Sequence, residues 1–245
     1  AIAYYNRGLA KYNLQDYSGA ISDYSKAIEI NPSYADAYNN RGLAKGNLQD
    51  YSGAISDYSK ALEINPSYAY AYYNRGNAKY NLKDYSGAIA DYDKAIEINP
   101  REAGAYNNRG NAKADLEDFA GAIADYDKAI EINPKDADAY YNRGRAKAGL
   151  KDYAGAIADN SKVIDINPRY AKAYLNRGLA KRQIKDDAGA IADYTKALDI
   201  NPKDADAYYN RGNAKSALQD YLGAIADYTK ALDINPKDAD AYYNR

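Results

Sequence analysis

The sequence of 245 residues contains no cysteine, histidine, methionine or tryptophan, and it has a single phenylalanine. Without cysteine it forms no disulfide framework and no thiolate metal site. Without histidine it lacks the commonest metal ligand and the commonest general base in enzymes. We therefore expect no enzymatic activity, no bound metal and no cofactor.

The sequence also has no excess of one charge sign and no long apolar run. The 33 lysines and arginines are matched by 34 aspartates and glutamates, so no long-range field attracts nucleic acid or an anionic membrane. No apolar stretch approaches the ~20 residues that span a bilayer. We expect no nucleic-acid partner and no membrane insertion, with a soluble, cytoplasmic location as the default. Since neither a signal peptide nor an initiator methionine is present, we expect a piece of a longer protein.

What the sequence does contain is a strict repeat. Its seven prolines are spaced by 34 residues, at Pro32, Pro66, Pro100, Pro134, Pro168, Pro202 and Pro236. Two glycine series keep the same period, one beginning at Gly8 and the other at Gly19. This register predicts a single array over 1–245, with repeats 1–34, 35–68, 69–102, 103–136, 137–170, 171–204 and 205–238 and a partial eighth over 239–245.

Each repeat has the pattern of two helices. In the third repeat the first helix is predicted over roughly 70–82 and the second over roughly 85–98. Asp84 precedes the second helix as its N-cap, and Asn-Pro ends it. Apolar residues recur at helical spacing in the second helix, so stacked repeats bury a continuous core.

The run from Ala71 to Ala78, followed by Asp84, Ala88, Tyr92, Ala95 and Pro100, resembles the tetratricopeptide repeat. The resemblance covers the whole chain. It implies an all-α, right-handed superhelical α-solenoid of seven helix-turn-helix repeats and a partial eighth. It also implies a protein-protein interaction scaffold that binds an extended peptide or protein segment in a concave groove.

Two positions depart from that family. The residue before the first glycine is always arginine, with lysine four residues later, although the family favours an apolar residue there. An aspartate recurs sixteen residues after each arginine, so we predict a structural ladder of pairs such as Arg75–Asp91. The alternative is a stripe of arginines that binds anions. The second departure is the glycine at the nineteenth position, for example Gly87, which we ascribe to close backbone approach.

The resemblance also implies which residues of the first helices line the groove. The sixth position is always asparagine, and its amide is able to bond both halves of a peptide group. The alternative is that these asparagines stabilise contacts between repeats. Aromatic and amide residues at the fifth and ninth positions flank them. The predicted peptide-binding residues are Asn6, Asn40, Asn74, Asn108, Asn142, Asn176, Asn210, Tyr5, Tyr73, Tyr141, Tyr209, Asn77, Asn111 and Asn213, and the row continues to Tyr243 and Asn244.

Repeats five and six break the symmetry of the groove. Arg145, Lys172 and Arg182 stand at positions expected to face it, which predicts a possible site for an anion or a carboxylate. The alternative is neutral variation of exposed residues. Asn160 replaces the core tyrosine of repeat five, and Asp187 replaces a tyrosine in repeat six. Both substitutions predict locally weaker packing.

A second function remains open beside the scaffold. The last complete helix is predicted to expose Ala224, Ile225, Tyr228 and Leu232, and an apolar end of this kind favours self-association end to end through uncapped terminal repeats. Head-to-tail self-association is therefore the alternative function. RNA binding is disfavoured by the period and by the neutral charge.

Overall fold

A computed structural model describes residues 1–236, and this part of the chain consists of helices joined by short turns. Repeat three contains helices over Ala69–Asn81 and Tyr85–Ile98, which agrees with the prediction to within one residue. The all-α helix-turn-helix fold is thereby confirmed. In chain order the helices are α1 Ile2–Asn13, α2 Tyr17–Ile30, α3 Ala35–Asn47, α4 Tyr51–Ile64, α5 Ala69–Asn81, α6 Tyr85–Ile98, α7 Ala103–Asp115, α8 Phe119–Ile132, α9 Ala137–Gly149, α10 Tyr153–Ile166, α11 Ala171–Gln183, α12 Asp187–Ile200, α13 Ala205–Ala217 and α14 Tyr221–Ile234.

The chain divides into two compact units, Ala1–Ile132 and Asn133–Arg245. The first unit contains α1–α8 and the second contains α9–α14, and within each unit every helix packs against its neighbours in the chain. That the repeats form one array stays a prediction. The partial eighth repeat, with Tyr243 and Asn244, lies outside the described residues.

Local interactions explain where the first helix of each repeat ends and where the second begins. The aspartate at position sixteen accepts a hydrogen bond from the amide of the glycine at position nineteen, at 2.9–3.0 Å in all seven repeats. A Cβ at Gly87 would overlap the Asp84 carboxylate. The glycine leaves room for the carboxylate where it lies here, and a side-chain oxygen rather than the backbone is its close neighbour, contrary to the expected backbone approach. The cap itself does not require glycine, because Asp136 and Asp204 accept from alanine amides at the same offset. The residue before the aspartate, such as Lys83, takes a left-handed φ of 62–65° and ends the first helix.

The core consists mainly of alanines, with one buried tyrosine in six of the seven complete repeats. In repeat three, Tyr92 is buried between Ala88 of the same repeat and Ala112 of the next repeat. A Cβ on Gly76 would lie 2.7 Å from the Tyr92 ring, so the first glycine series makes room for this ring. The core tyrosine thus joins the two helices of a repeat and reaches the next one.

The predicted charge ladder is confirmed. Each arginine donates from Nε to one aspartate oxygen at 2.8–2.9 Å and from Nη2 to the other at 2.5–2.7 Å. The lysine four residues on lies 2.8–2.9 Å from the same buried carboxylate. In repeat one the hydrogen bonds from Arg7 lower the pKa of Asp23 to about 2. Because the arginine heads are paired, the alternative of an anion-binding stripe is wrong.

Candidate functional site

The asparagines at position nine are oriented by the core tyrosines. The hydroxyl of Tyr92 donates to Oδ1 of Asn77 at 2.8 Å, and the same bond joins Tyr126 to Asn111 and Tyr228 to Asn213. Burial raises the pKa of Tyr92 and of Tyr228, so each hydroxyl keeps its proton and remains a donor. The core tyrosine therefore binds the oxygen of the amide and leaves its nitrogen for other partners.

Repeats one, two and six have leucine at position nine, and in repeats one and six the core tyrosine differs accordingly. The hydroxyls of Tyr24 and Tyr194 are buried without a hydrogen-bond partner among residues 1–236. Burial raises the pKa of Tyr24 to about 12. An asparagine at position nine thus gives the core tyrosine a hydrogen-bond acceptor. Repeats with leucine at this position lack the acceptor but form the same two helices.

The asparagines at position six contact neighbouring repeats within the first unit. Asn40 donates to the hydroxyl of Tyr5 at 2.9 Å, and Asn74 donates to Oδ1 of Asn39 at 3.2 Å. Asn108 donates to the hydroxyl of Tyr73 at 3.1 Å and to Oδ1 of Asn77 at 2.9 Å. The alternative role, stabilising contacts between repeats, is borne out for these three residues. Their role in peptide binding stays a prediction.

The remaining position-six asparagines are less uniform. Asn210 donates to the carbonyl of Asp206 in its own helix at 2.8 Å. Asn142 has an interaction partner as well. The side chains of Asn6 and Asn176 make no hydrogen bond with the described part of the chain.

The tyrosines at position five pack against other tyrosines. Tyr5 lies 4.9 Å from Tyr34 between ring centroids, and Tyr141 lies 5.3 Å from Tyr170. Tyr73 and Tyr209 pack on the core tyrosines of their own repeats at 6.1 and 6.0 Å. The sequence interpretation missed Asn39, which stands at this position in repeat two and is buried. Asn39 occupies the same repeat position as Tyr5 and Tyr73, and this shared position could have identified it from the sequence.

Two neighbouring pockets open on this row of amides. One has a volume of about 350 Å³ and is lined by Asn77, Tyr80, Asn81, Tyr92, Asn108 and Asn111. The other, of about 240 Å³, shares Asn77 and Asn81 and adds Leu43 and Asn74. The structure thus brings the predicted residues Asn74, Asn77, Asn108 and Asn111 together.

The three cations of repeats five and six have different surroundings. Arg145 and Lys172 are exposed. Nε of Arg182 lies 3.3 Å from the carboxylate of Asp187, so this charge is partly neutralised by the residue that replaces a tyrosine in repeat six. An anion site at these three residues stays a prediction.

The apolar end predicted on α14 needs correction. Ala224, Tyr228 and Leu232 are buried. Tyr228 packs on Tyr209 of the same repeat, and Leu232 belongs to a cluster against which Tyr208 and Tyr209 pack. Ile225 is exposed as predicted, at 42%. Leu222, which the sequence interpretation did not single out, is 83% exposed.

Residues 1–236 contain no helix that is long and apolar enough to cross a bilayer. The same residues contain no group of three or more acidic, histidine or cysteine side chains arranged to hold a metal ion.

Comparison with known proteins identifies the repeat. Family models described as TPR repeat match residues 8–49, 110–151 and 179–219, and models described as tetratricopeptide repeat match 35–68, 69–102, 137–170 and 205–238. No curated protein sequence matches the chain.

Solved structures are similar over most of the chain. YrrB, described as a TPR protein with an unusual peptide-binding site, has 25% identity and a TM-score of 0.65, with 76% of this chain and 96% of YrrB covered. MamA has 27% identity and a TM-score of 0.64, covering 70% and 93%. A TPR repeat-containing protein from Cytophaga hutchinsonii has 21% identity and a TM-score of 0.80, covering 98% of each chain, and supports the fold alone.

Proposed function

The chain belongs to the tetratricopeptide repeat family, and we propose that it is a non-catalytic scaffold that binds an extended peptide or protein segment along its first helices. The binding face consists of the amides and tyrosines at positions five, six and nine. Backbone recognition by these amides is the central interaction.

One observation carries the proposal, and it concerns Asn77. Its Oδ1 accepts from Tyr92 and from Asn108, while its Nδ2 has no hydrogen-bond partner among residues 1–236. Asn77 is half-buried and lines both pockets. Two oriented N–H donors in a partly desolvated place match the carbonyl oxygens of a peptide backbone. Asn111 and Asn213 are held by their core tyrosines in the same way.

The charge of the protein favours a peptide over a nucleic acid. The net charge is −1, and the ladder arginines among residues 1–236 are bound to aspartates, so they do not form a free row of cations that could neutralise phosphates. Tyrosine and asparagine provide contact area and adaptable hydrogen bonds instead. The description of YrrB as a protein with a peptide-binding site agrees with this choice.

The test is a peptide-library screen followed by affinity measurement with Asn77→Asp. Aspartate still accepts from Tyr92 and Asn108 but has no N–H to donate, so the core contact survives while the donors are lost. We expect binding about tenfold weaker, the equivalent of about 1.4 kcal/mol for one hydrogen bond. Lys60→Gln on α4, where Lys60 pairs with Glu63, is the control and should bind as the parent does. Equal affinity of the Asn77→Asp protein would contradict the proposal.

Self-association is the second candidate function, and Leu222 favours it. Other repeats have serine or alanine at this position, whereas Leu222 is almost fully exposed close to the exposed Ile225. Two such side chains form an apolar contact when they meet a second copy. Sedimentation velocity over a concentration series tests this, with Leu222→Ser as the variant. If the protein stays monomeric at all concentrations, self-association is ruled out. If the sedimentation coefficient of the parent rises with concentration and that of Leu222→Ser does not, self-association is supported.

A further inference from the structure

Repeat five differs from the other six complete repeats at the centre of its core. Asn160 stands where they have Tyr24, Tyr58, Tyr92, Tyr126, Tyr194 and Tyr228. Asparagine is smaller than tyrosine and has no ring, so the space of a phenol ring is not filled from within the repeat.

A cavity of about 420 Å³ opens at this place within the second unit. It reaches Gly144, Ala156 and Ala180, the small residues that enclose the ring elsewhere. The matching pocket of repeat three, about 350 Å³, ends at Tyr92 and reaches none of the equivalent small residues. The pocket of repeat two reaches Ala78, the equivalent of Ala180, beside the ring of Tyr58. The absent ring therefore deepens the cavity of repeat five at Gly144 and Ala156.

The amide of Asn160 lines this cavity and is only half satisfied. Its Nδ2 donates to the carbonyl of Ala156 at 2.8 Å. Its Oδ1 is buried and has no partner among the described residues, and the whole side chain is 1% exposed. A buried acceptor without a donor is destabilising, because it has lost its hydrogen bond to water and gained none in the protein. The deep part of the cavity thus combines small residues with one buried acceptor that lacks a hydrogen-bond donor.

The rim of the cavity carries two further unpaired groups. Arg145 replaces the position-nine asparagine and is exposed. Asn176 lines the cavity as well, and its amide makes no hydrogen bond with the described part of the chain. Tyr153 and Leu179 also line the cavity, together with Ala148 and Gln183. An aromatic ring in the cavity would lie beside a cation, and a peptide backbone crossing the rim would meet the free amide.

We propose that this cavity is a side-chain pocket that takes the phenol of a tyrosine in a bound peptide. The proposal deepens the peptide-binding function and rests on it for the source of the tyrosine. A phenol matches because the cavity replaces a phenol of the repeat itself. Its ring fills the space beside Gly144, Ala156 and Ala180, and its hydroxyl supplies the donor that Oδ1 of Asn160 lacks.

The pocket is tested without any peptide, using p-cresol as the tyrosine side chain. Titration of the ¹⁵N-labelled full chain is followed by NMR. We expect saturable shifts at the amides of Gly144, Ala156 and Ala180, and none at Gly76, Ala88 and Ala112 of the filled site. 4-Methylanisole, which has the same ring without a donor, should bind about tenfold more weakly, the loss expected for one hydrogen bond.

Asn160→Tyr is the matched variant, because it restores the residue of the other repeats and fills the cavity. It should abolish the p-cresol shifts while the circular dichroism spectrum is retained. Shifts that persist in this variant, or a crystal soaked in p-cresol that holds only water in the cavity, overturn the proposal.

Peptide binding by the parent and by Asn160→Tyr separates this pocket from the scaffold function. Peptides that bind both proteins equally, with no tyrosine preference, refute the pocket and leave the scaffold intact. Saturable p-cresol binding by a protein that binds no peptide supports a phenol-binding cavity, but it refutes the scaffold and with it a peptide as the source of the phenol.

Discussion

Repeats three and five have helices of equal length, over Ala69–Asn81 and Tyr85–Ile98 in one and Ala137–Gly149 and Tyr153–Ile166 in the other. Their caps and ladders also agree: the Arg Nη2 to Asp distance is 2.6 Å in both. They differ in the core, where repeat three has Tyr92 and repeat five has Asn160. The comparison teaches that caps and charge pairs are sufficient to keep the hairpin geometry, while the ring decides whether a pocket exists.

The largest expected effect comes from removing the feature that the two repeats share. Asp91→Ala leaves Arg75 and Lys79 without the carboxylate to which both are bonded, and Asp159→Ala does the same in repeat five. We expect each to lower the free energy of unfolding by about 4 kcal/mol, as for other broken buried pairs. Urea denaturation followed by circular dichroism measures both. A much smaller loss in repeat five would show that its ladder depends on the missing ring.

Tyr92→Asn tests the difference directly by giving repeat three the core of repeat five. It removes a buried ring between Ala88 and Ala112 and one of the two hydrogen bonds that Oδ1 of Asn77 accepts. We expect a loss of about 3 kcal/mol in the free energy of unfolding, together with new p-cresol shifts at Gly76. An unchanged free energy of unfolding would mean that the ring is not a stabilising element of the array.

Asn160→Tyr is the reverse change and should stabilise the protein. The ring covers Gly144, Ala156 and Ala180 and removes the unpartnered buried oxygen. We expect a gain of about 2 kcal/mol in the free energy of unfolding, measured by urea denaturation. Destabilisation would indicate that repeat five has repacked so that a ring no longer fits.

The cap shared by both repeats gives a smaller effect. In Gly87→Ala the new Cβ displaces the Asp84 carboxylate, so we expect a loss of about 1 kcal/mol from the broken cap. In an Asp84→Ala background the same change should be neutral or stabilising, because alanine favours helix over glycine. Thermal melting of the two single variants and the double variant measures the coupling. Additive effects would show that the clash with the carboxylate is not the reason for the glycine.

The smallest expected effect comes from removing the hydroxyl of a core tyrosine, and it should differ between Tyr92, whose hydroxyl is hydrogen-bonded, and Tyr194, whose hydroxyl is not. Tyr92→Phe removes the hydrogen bond to Asn77 and should lower the free energy of unfolding by about 1 kcal/mol. Tyr194→Phe removes a hydroxyl that is buried without a partner in the described residues, so we expect no loss or a small gain. Equal losses in urea denaturation would contradict the role assigned to position nine.

Much of the fold was readable from the chain because its determinants are local or repeat at a fixed offset. The aspartate caps act three residues away, and Asn-Pro ends the helix next to it. The Arg75–Asp91 pair was predictable because two like charges on one packed face require an acid, and one aspartate recurs at the right offset.

The candidate site was less readable. The sequence shows the asparagines at position six as a regular series, but three of them form bonds to Tyr5, Asn39 and Tyr73 that lie 35 residues away along the chain. Position nine was predicted to face a ligand, and its second role as acceptor for the core tyrosine did not follow from the pattern. The burial of Ala224, Tyr228 and Leu232 was also missed, because packing inside one hairpin already covers them.

By itself, the sequence determined the period, the helices, the caps and the pairing of charges, since each depends on a few neighbours at constant spacing. Only the tertiary structure decided which atom of Asn77 is occupied, why Gly87 is a glycine and how deep the cavity at Asn160 reaches. The physical reason is that these depend on distances between atoms of different helices, and a difference of one ring or one hydrogen bond changes them without altering the repeat pattern.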